Sequence, residues 1–118
     1  MSKTLLEANM KVAVIGSRNI VVEDLERYLP TGVTQLVSGG ARGVDSCVRS
    51  YAERMNIPLV EFLPDYQRFG KAAPLKRNEE IVNYADCVVA LWDGASRGTQ
   101  SVIKYCQKQE KPLTIYRL

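Results

Sequence analysis

Lys11–Ser17, K-V-A-V-I-G-S, decides the fold. Between Lys11 and Gly16 every residue is apolar, Val12, Val14 and Ile15 are β-branched, and the run stops at Gly-Ser. A strand that is apolar throughout, with no polar alternation, needs cover on both faces, which a parallel sheet between two helix layers provides. Cys87–Trp92 (CVVALW) has the same character, and Gln35–Ser38, Leu59–Leu63 and Leu113–Tyr116 are shorter, largely apolar runs that also read as strands. Helical periods separate them. Val21, Leu25, Tyr28 and Leu29 lie at helical spacing and stop at Pro30-Thr31-Gly32. Val44, Cys47, Val48, Tyr51, Ala52 and Met55 form one stripe, with Arg49, Glu53 and Arg54 off it. Leu75–Ala85 and Thr99–Glu110 are the remaining predicted helices, whereas Asp65–Pro74 carries Gly and Pro without a period and reads as a loop.

Five strands alternating with four helices predict an α/β, doubly wound, Rossmann-like three-layer sandwich around a five-stranded parallel sheet, most simply in the order 3-2-1-4-5. Residues 11–118 would form this single domain, with 1–10 as an N-terminal extension. A chain of 118 residues is the size of one domain, and 46% hydrophobic with 25% charged residues argues against disorder and against a membrane protein. No apolar run approaches the ~18 residues of a membrane span. The first ten residues contain Glu7 and Asn9 and lack an apolar core, so no secretory signal is expected and the cytoplasm is the expected compartment. Cys47, Cys87 and Cys106 are odd in number and widely spaced, which fits reduced, buried thiols. With no histidine, Ser-His-Asp and zincin-type chemistry are excluded and no metal site is expected. The net charge of +3 is too mild by itself to mark a nucleic-acid binder.

In doubly wound sheets ligands bind beyond the carboxyl ends of the strands, where the strand order reverses. The segments leaving strands one, two and four are Gly16-Ser17-Arg18, Ser38-Gly39-Gly40-Ala41-Arg42-Gly43 and Asp93–Thr99. Each is rich in glycine, hydroxyls and arginine, and each precedes a predicted helix. Free N–H groups and the positive end of a helix dipole hold anions there, glycine permits close approach, and arginine clamps phosphate. Ser38–Gly43 does not fit G-x-G-x-x-G, and no G-x-x-x-x-G-K-[ST] occurs, which disfavours a dinucleotide dehydrogenase or a P-loop enzyme.

Helix phase adds candidates. Thr99 shares the stripe of Val102, Ile103 and Cys106, either capping its helix or touching a ligand. Arg77 and Asn78 share the inward face of Ile81 and Val82, where a guanidinium needs a partner. Asp45 flanks its stripe, to pair with Arg18 or Arg42 or to orient a ligand. Tyr66 and Phe69, beside Arg68, could stack on a base or pack as a lid on the edge of the core.

The combination of GSR (Gly16–Arg18), SGGARGVD (Ser38–Asp45), RN (Arg77-Asn78), AD-x-VVA (Ala85–Ala90) and SRGT (Ser96–Thr99) resembles the SLOG superfamily. That group unites the Rossmann domain of DNA-processing protein A (Smf) with the LOG phosphoribohydrolases. FLPDYQRFGKAAPLKRNEE (Phe62–Glu80) is similar to the small stand-alone YspA-like branch, a domain of unknown function. The likeness runs from about Lys11 to Pro112 and implies a nucleotide or nucleotide-derived ligand in the crevice. LOG enzymes carry a catalytic glutamate three residues after the threonine of their P-G-G-x-G-T-x-x-E signature; here that position is Val102. Oxocarbenium-like N-glycoside cleavage needs a carboxylate, for which Asp45, Asp93 and Glu79 are the substitutes.

Three functions follow in order. The first is binding of a nucleotide or nucleotide-derived ligand, as sensor or carrier, with no cofactor required. Arg18, Arg42 and Arg77 would meet phosphate, cradled by Gly39-Gly40 and Gly98-Thr99. Gly16, Ser17, Ser38, Gly43, Asp45, Asn78, Asp93 and Ser96 complete the expected site. The second is a nucleotide N-glycoside or phosphoribosyl hydrolase. The third is a single-stranded DNA-binding module using Arg42, Arg68, Lys71, Lys76 and Arg77. The basic, apolar last helix and the family tendency also suit a homodimer.

Overall fold

The computed structural model describes residues 9–118, and it places β1 (Lys11–Gly16), β2 (Gln35–Ser38), β3 (Leu59–Glu61), β4 (Cys87–Trp92) and β5 (Leu113–Arg117) in one sheet. The order is β3-β2-β1-β4-β5, and all four pairings are parallel. β1 and β4 are central, in the register Val14↔Val89, so Val12, Ala13, Val14 and Ala90 have no exposed surface. Their unbroken apolar character follows from this position. Val12 and Val14 face Val44, Val48, Tyr51 and Ala52 of helix α1 (Val44–Met55). Ala13 and Ile15 face the opposite layer, with Ile81 and Val82 of α3 (Ala73–Tyr84) and Val102, Ile103 and Cys106 of α4 (Arg97–Gln109). Alternate residues of one strand thus feed two cores, which is the three-layer sandwich. The resulting packing leaves the loops after β1, β2 and β4 on one edge of the sheet.

Two expectations change. The helix expected from Val21 to Leu29 is a single 3-10 turn, Leu25–Tyr28, in which Leu25 is buried while Val21 is 78% exposed. Ile20, Val21 and Val22 are three consecutive β-branched residues, poor helix formers at the point where a helix must nucleate. The segment expected as a loop, Asp65–Pro74, contains a one-turn helix α2 (Tyr66–Phe69) and a 3-10 turn (Gly70–Ala72). Asp65 starts α2 by accepting the Arg68 N–H at 3.1 Å. α3 begins at Ala73, not Leu75, with Pro74 in its first turn, where a missing N–H costs no hydrogen bond. Other boundaries shift by one or two residues. Of the N-terminal extension expected at 1–10, residues 1–8 lie outside the described residues; Met10 packs against the α1-side core. Among the described residues, no helix is long and apolar enough to cross a membrane.

Candidate functional site

The loops after β1, β2 and β4 open onto one hollow of about 400 Å³, within the range of small-ligand sites. Ile15, Ile81 and Val102 give it an apolar lining. Gly16, Ser17, Arg18 and Asn19 line it from the β1 side, and Gly39, Ala41 and Asp45 from the β2 side. α3 contributes Pro74, Arg77 and Asn78, and the start of α4 contributes Ser96, Gly98 and Thr99. Ten of the residues expected at the site therefore meet here. Asn19, Ala41 and Pro74 join them. Asn19 and Ala41 were legible as members of the same loops, whereas Pro74 was hidden in a segment read as irregular.

Ser38, Gly40, Arg42, Gly43, Asp93 and Glu79 do not line the hollow. Ser38 is fully buried, and its hydroxyl accepts the Gly40 N–H at 3.4 Å. Gly43 holds the turn into α1 at φ +67, and a Cβ there would land on the Arg18 carbonyl. Arg42, between these turns, is exposed. Asp93 accepts the N–H groups of Ala95 (2.8 Å) and Ser96 (2.7 Å), and these bonds hold its carboxyl below the usual range. Its own N–H donates to Ser17 Oγ at 3.2 Å, tying the β4 loop to the β1 loop. Asp93 shapes the site from outside. Of the three carboxylates considered for hydrolysis, Asp45 alone reaches the hollow.

The start of α4 presents main-chain N–H groups without acceptors among the described residues. Its first amide with a carbonyl partner is Gln100, which donates to Ser96 O at 3.1 Å. Among the described residues, the N–H groups of Arg97, Gly98 and Thr99 have no acceptor. Ser96 occupies the cap position without capping through its side chain. Its hydroxyl instead donates to Thr99 Oγ1 at 3.3 Å, so Thr99 is the third residue of the helix, 4% exposed, and not its cap. Trp92 Nε1 donates to the Ser96 carbonyl at 3.0 Å and fixes the loop. Free N–H groups at the positive end of a helix dipole form an anion site.

Arg77 crosses the edge of the sheet. Its Nη1 donates to Gly39 O (2.8 Å) and Phe62 O (3.3 Å), and Nε donates to Asn78 Oδ1 (2.9 Å). The guanidinium expected to meet phosphate is thus first a brace on main chain, with Nη2 free of protein partners among the described residues. Burial lowers its pKa, Asp45 and Tyr66 oppose that, and Arg18 adds to it. Asp45 pairs with neither Arg18 nor Arg42. Its Oδ2 accepts the Ala41 N–H at 2.9 Å. Burial raises the carboxyl pKa more than Ala41, Ser38 and Arg77 lower it, and Glu61 adds to the rise. Among the described residues, no group of three or more Cys, Asp or Glu side chains could hold a metal ion.

The fold and the hollow define a doubly wound α/β domain with an open crevice at its switch point. No family model and no curated protein sequence matches the chain. Among solved structures, the chain is similar to DNA processing protein A from Helicobacter pylori, a protein that binds single-stranded DNA. The TM-score is 0.69 at 24% identity, covering 98% of this chain and 69% of that one. The likeness is one of fold.

Proposed function

We propose that this protein binds single-stranded DNA and seats one nucleotide unit in the hollow at the carboxyl edge of its sheet. The observation that carries the reading is that the unpaired N–H groups of Gly98 and Thr99, the exposed Arg18 and Arg77 belong to residues lining that one hollow. A phosphate at the start of α4 would accept from Gly98 and Thr99, and the apolar lining would take sugar or base. The likeness to the Helicobacter pylori protein supports the strand reading, because that protein binds single-stranded DNA. Fluorescence anisotropy with a labelled oligo-dT tests it. Affinity should fall with salt at a log–log slope near −0.7 per neutralised phosphate, and absence of binding at low salt would overturn the reading.

A second reading is a free nucleotide or nucleotide-derived ligand, with the protein as sensor or carrier; the small volume of the hollow favours it. A mononucleotide at ~100 times its dissociation constant would then add about 2.7 kcal/mol to stability, and lengthening it to an oligonucleotide would add nothing.

A further inference from the structure

Tyr66 opens α2, the turn that precedes α3 in the chain. It is 60% exposed, and Leu63 (65%) before it and Leu75 (49%) in α3 are exposed as well. Phe69, on the same turn, is covered by the Arg68 guanidinium 5.0 Å from its ring centre, whereas the Tyr66 ring has no aromatic or cationic partner among the described residues. The surrounding segment is basic. From Leu63 to Asn78 there are four cations, Arg68, Lys71, Lys76 and Arg77, against Asp65 as the one acid. Asp65 is engaged in starting α2, and no ion pair involves Arg68, Lys71 or Lys76 among the described residues. All three are exposed. The patch is continuous with the hollow along the chain, since α2 leads through the 3-10 turn into α3 and packs against it, and Pro74, Arg77 and Asn78 of α3 line the hollow.

From this placement we infer that Tyr66 is a stacking platform for the base next to the nucleotide in the hollow, with Arg68, Lys71 and Lys76 tracking the phosphates that join them. The inference rests on the reading of the hollow as a nucleotide site and extends it: the ligand is a chain, held at two adjacent units. A flat, accessible ring flanked by unpaired cations is what a single strand requires, because every base has a stacking face and every linkage a negative charge.

Binding of dT oligonucleotides from one to six units, at fixed ionic strength, tests the platform in wild type, Tyr66→Ala and Tyr66→Trp. Wild type should gain affinity from one unit to two or three. Tyr66→Ala should lose about tenfold on the longer ligands while keeping the mononucleotide affinity, and Tyr66→Trp should restore the gain. A gain with length that Tyr66→Ala leaves intact overturns the platform. Equal weakening of mononucleotide and oligonucleotide by Tyr66→Ala also overturns it, since the ring would then shape the hollow itself. Mononucleotide binding with no gain for longer strands removes the platform and leaves the hollow as a nucleotide site. No binding of any length by wild type defeats both.

Discussion

Arg77 Nη1 donates to the carbonyl of Gly39 at 2.8 Å, so a side chain from the helix layer on one face holds the main chain leaving β2. Its second bond, to Phe62 O, reaches the chain just beyond β3. The carboxyl ends of two strands and the helix α3 are therefore tied at one guanidinium. The wall of the hollow depends on that knot.

Arg77→Lys should loosen it. An ammonium on a flexible stem cannot reproduce the planar fork, and the Gly39 and Phe62 carbonyls would lose their donor. A loss of about 1–3 kcal/mol is expected in urea denaturation, together with weaker oligonucleotide binding. Unchanged stability would show that solvent replaces the brace.

Gly39→Ala attacks the same contact from the other side. A Cβ there would stand 2.7 Å from Arg77 Nη1 and 3.2 Å from Asp45 Oδ2. Overpacking of this kind costs about 1–3 kcal/mol. Combined with Arg77→Ala the two effects should be clearly less than additive, because the second change removes the atom the first one strikes. Full additivity in a double-mutant cycle would mean that the two residues act separately.

Much of this was legible in the sequence. The unbroken apolar runs of β1 and β4 require burial on both faces, and with helices alternating between strands and right-handed crossovers the order 3-2-1-4-5 is the simplest arrangement, which is the one found. The loops that converge were legible too, since their glycines, hydroxyls and arginines stand at strand ends. What was not legible depends on the direction of side chains and on tertiary packing. Arg42 and Arg18 look alike in sequence, but the turns at Gly40 and Gly43 leave Arg42 outside the hollow and Arg18 on it. The apolar spacing of Val21, Leu25 and Tyr28 mimics a helix, yet Leu25 alone is fully buried, Tyr28 packs at the margin of the core and Val21 is exposed. Arg77 was rightly placed on an inward face, but no local pattern shows that its partners are main-chain carbonyls 38 and 15 residues away.

Asp45 and Asp93 should respond to pH in opposite senses. Burial raises the Asp45 pKa, so the folded protein holds that proton more tightly than the unfolded chain. Stability should then fall as pH rises from the ordinary carboxylate range through the raised folded value, and stay lowered above it. Asp45→Asn keeps an acceptor for Ala41 and removes the titration. Its melting temperature relative to wild type should climb from acid to neutral pH, and parallel curves would contradict this. Oligo-dT, whose bases and phosphodiesters do not titrate between the ordinary carboxylate range and neutrality, should bind wild type more tightly toward the acid end and show a flatter profile with Asp45→Asn.

The bonds from Ala95 and Ser96 lower the Asp93 pKa, so its contribution is present above the ordinary carboxylate range and is lost as pH falls through the lowered folded value. Asp93→Ala should melt at lower temperature than wild type at neutral pH and converge with it in strong acid. Because Asp93 sits outside the hollow, its loss should weaken binding by loosening the start of α4, and wild-type affinity in this variant would argue against that role.

The most direct measurement is oligonucleotide binding by Gly98→Asp. Nothing lies within 4 Å of a Cβ at Gly98, so the side chain fits, and an acid in the first turn of α4 suits the helix dipole. The fold should keep or slightly raise its melting temperature, while the new carboxylate takes the place of the incoming phosphate and binding of oligo-dT drops at least tenfold. A Gly98→Asp protein that folds normally and binds oligo-dT as wild type does would contradict the assignment of this hollow as the nucleotide site.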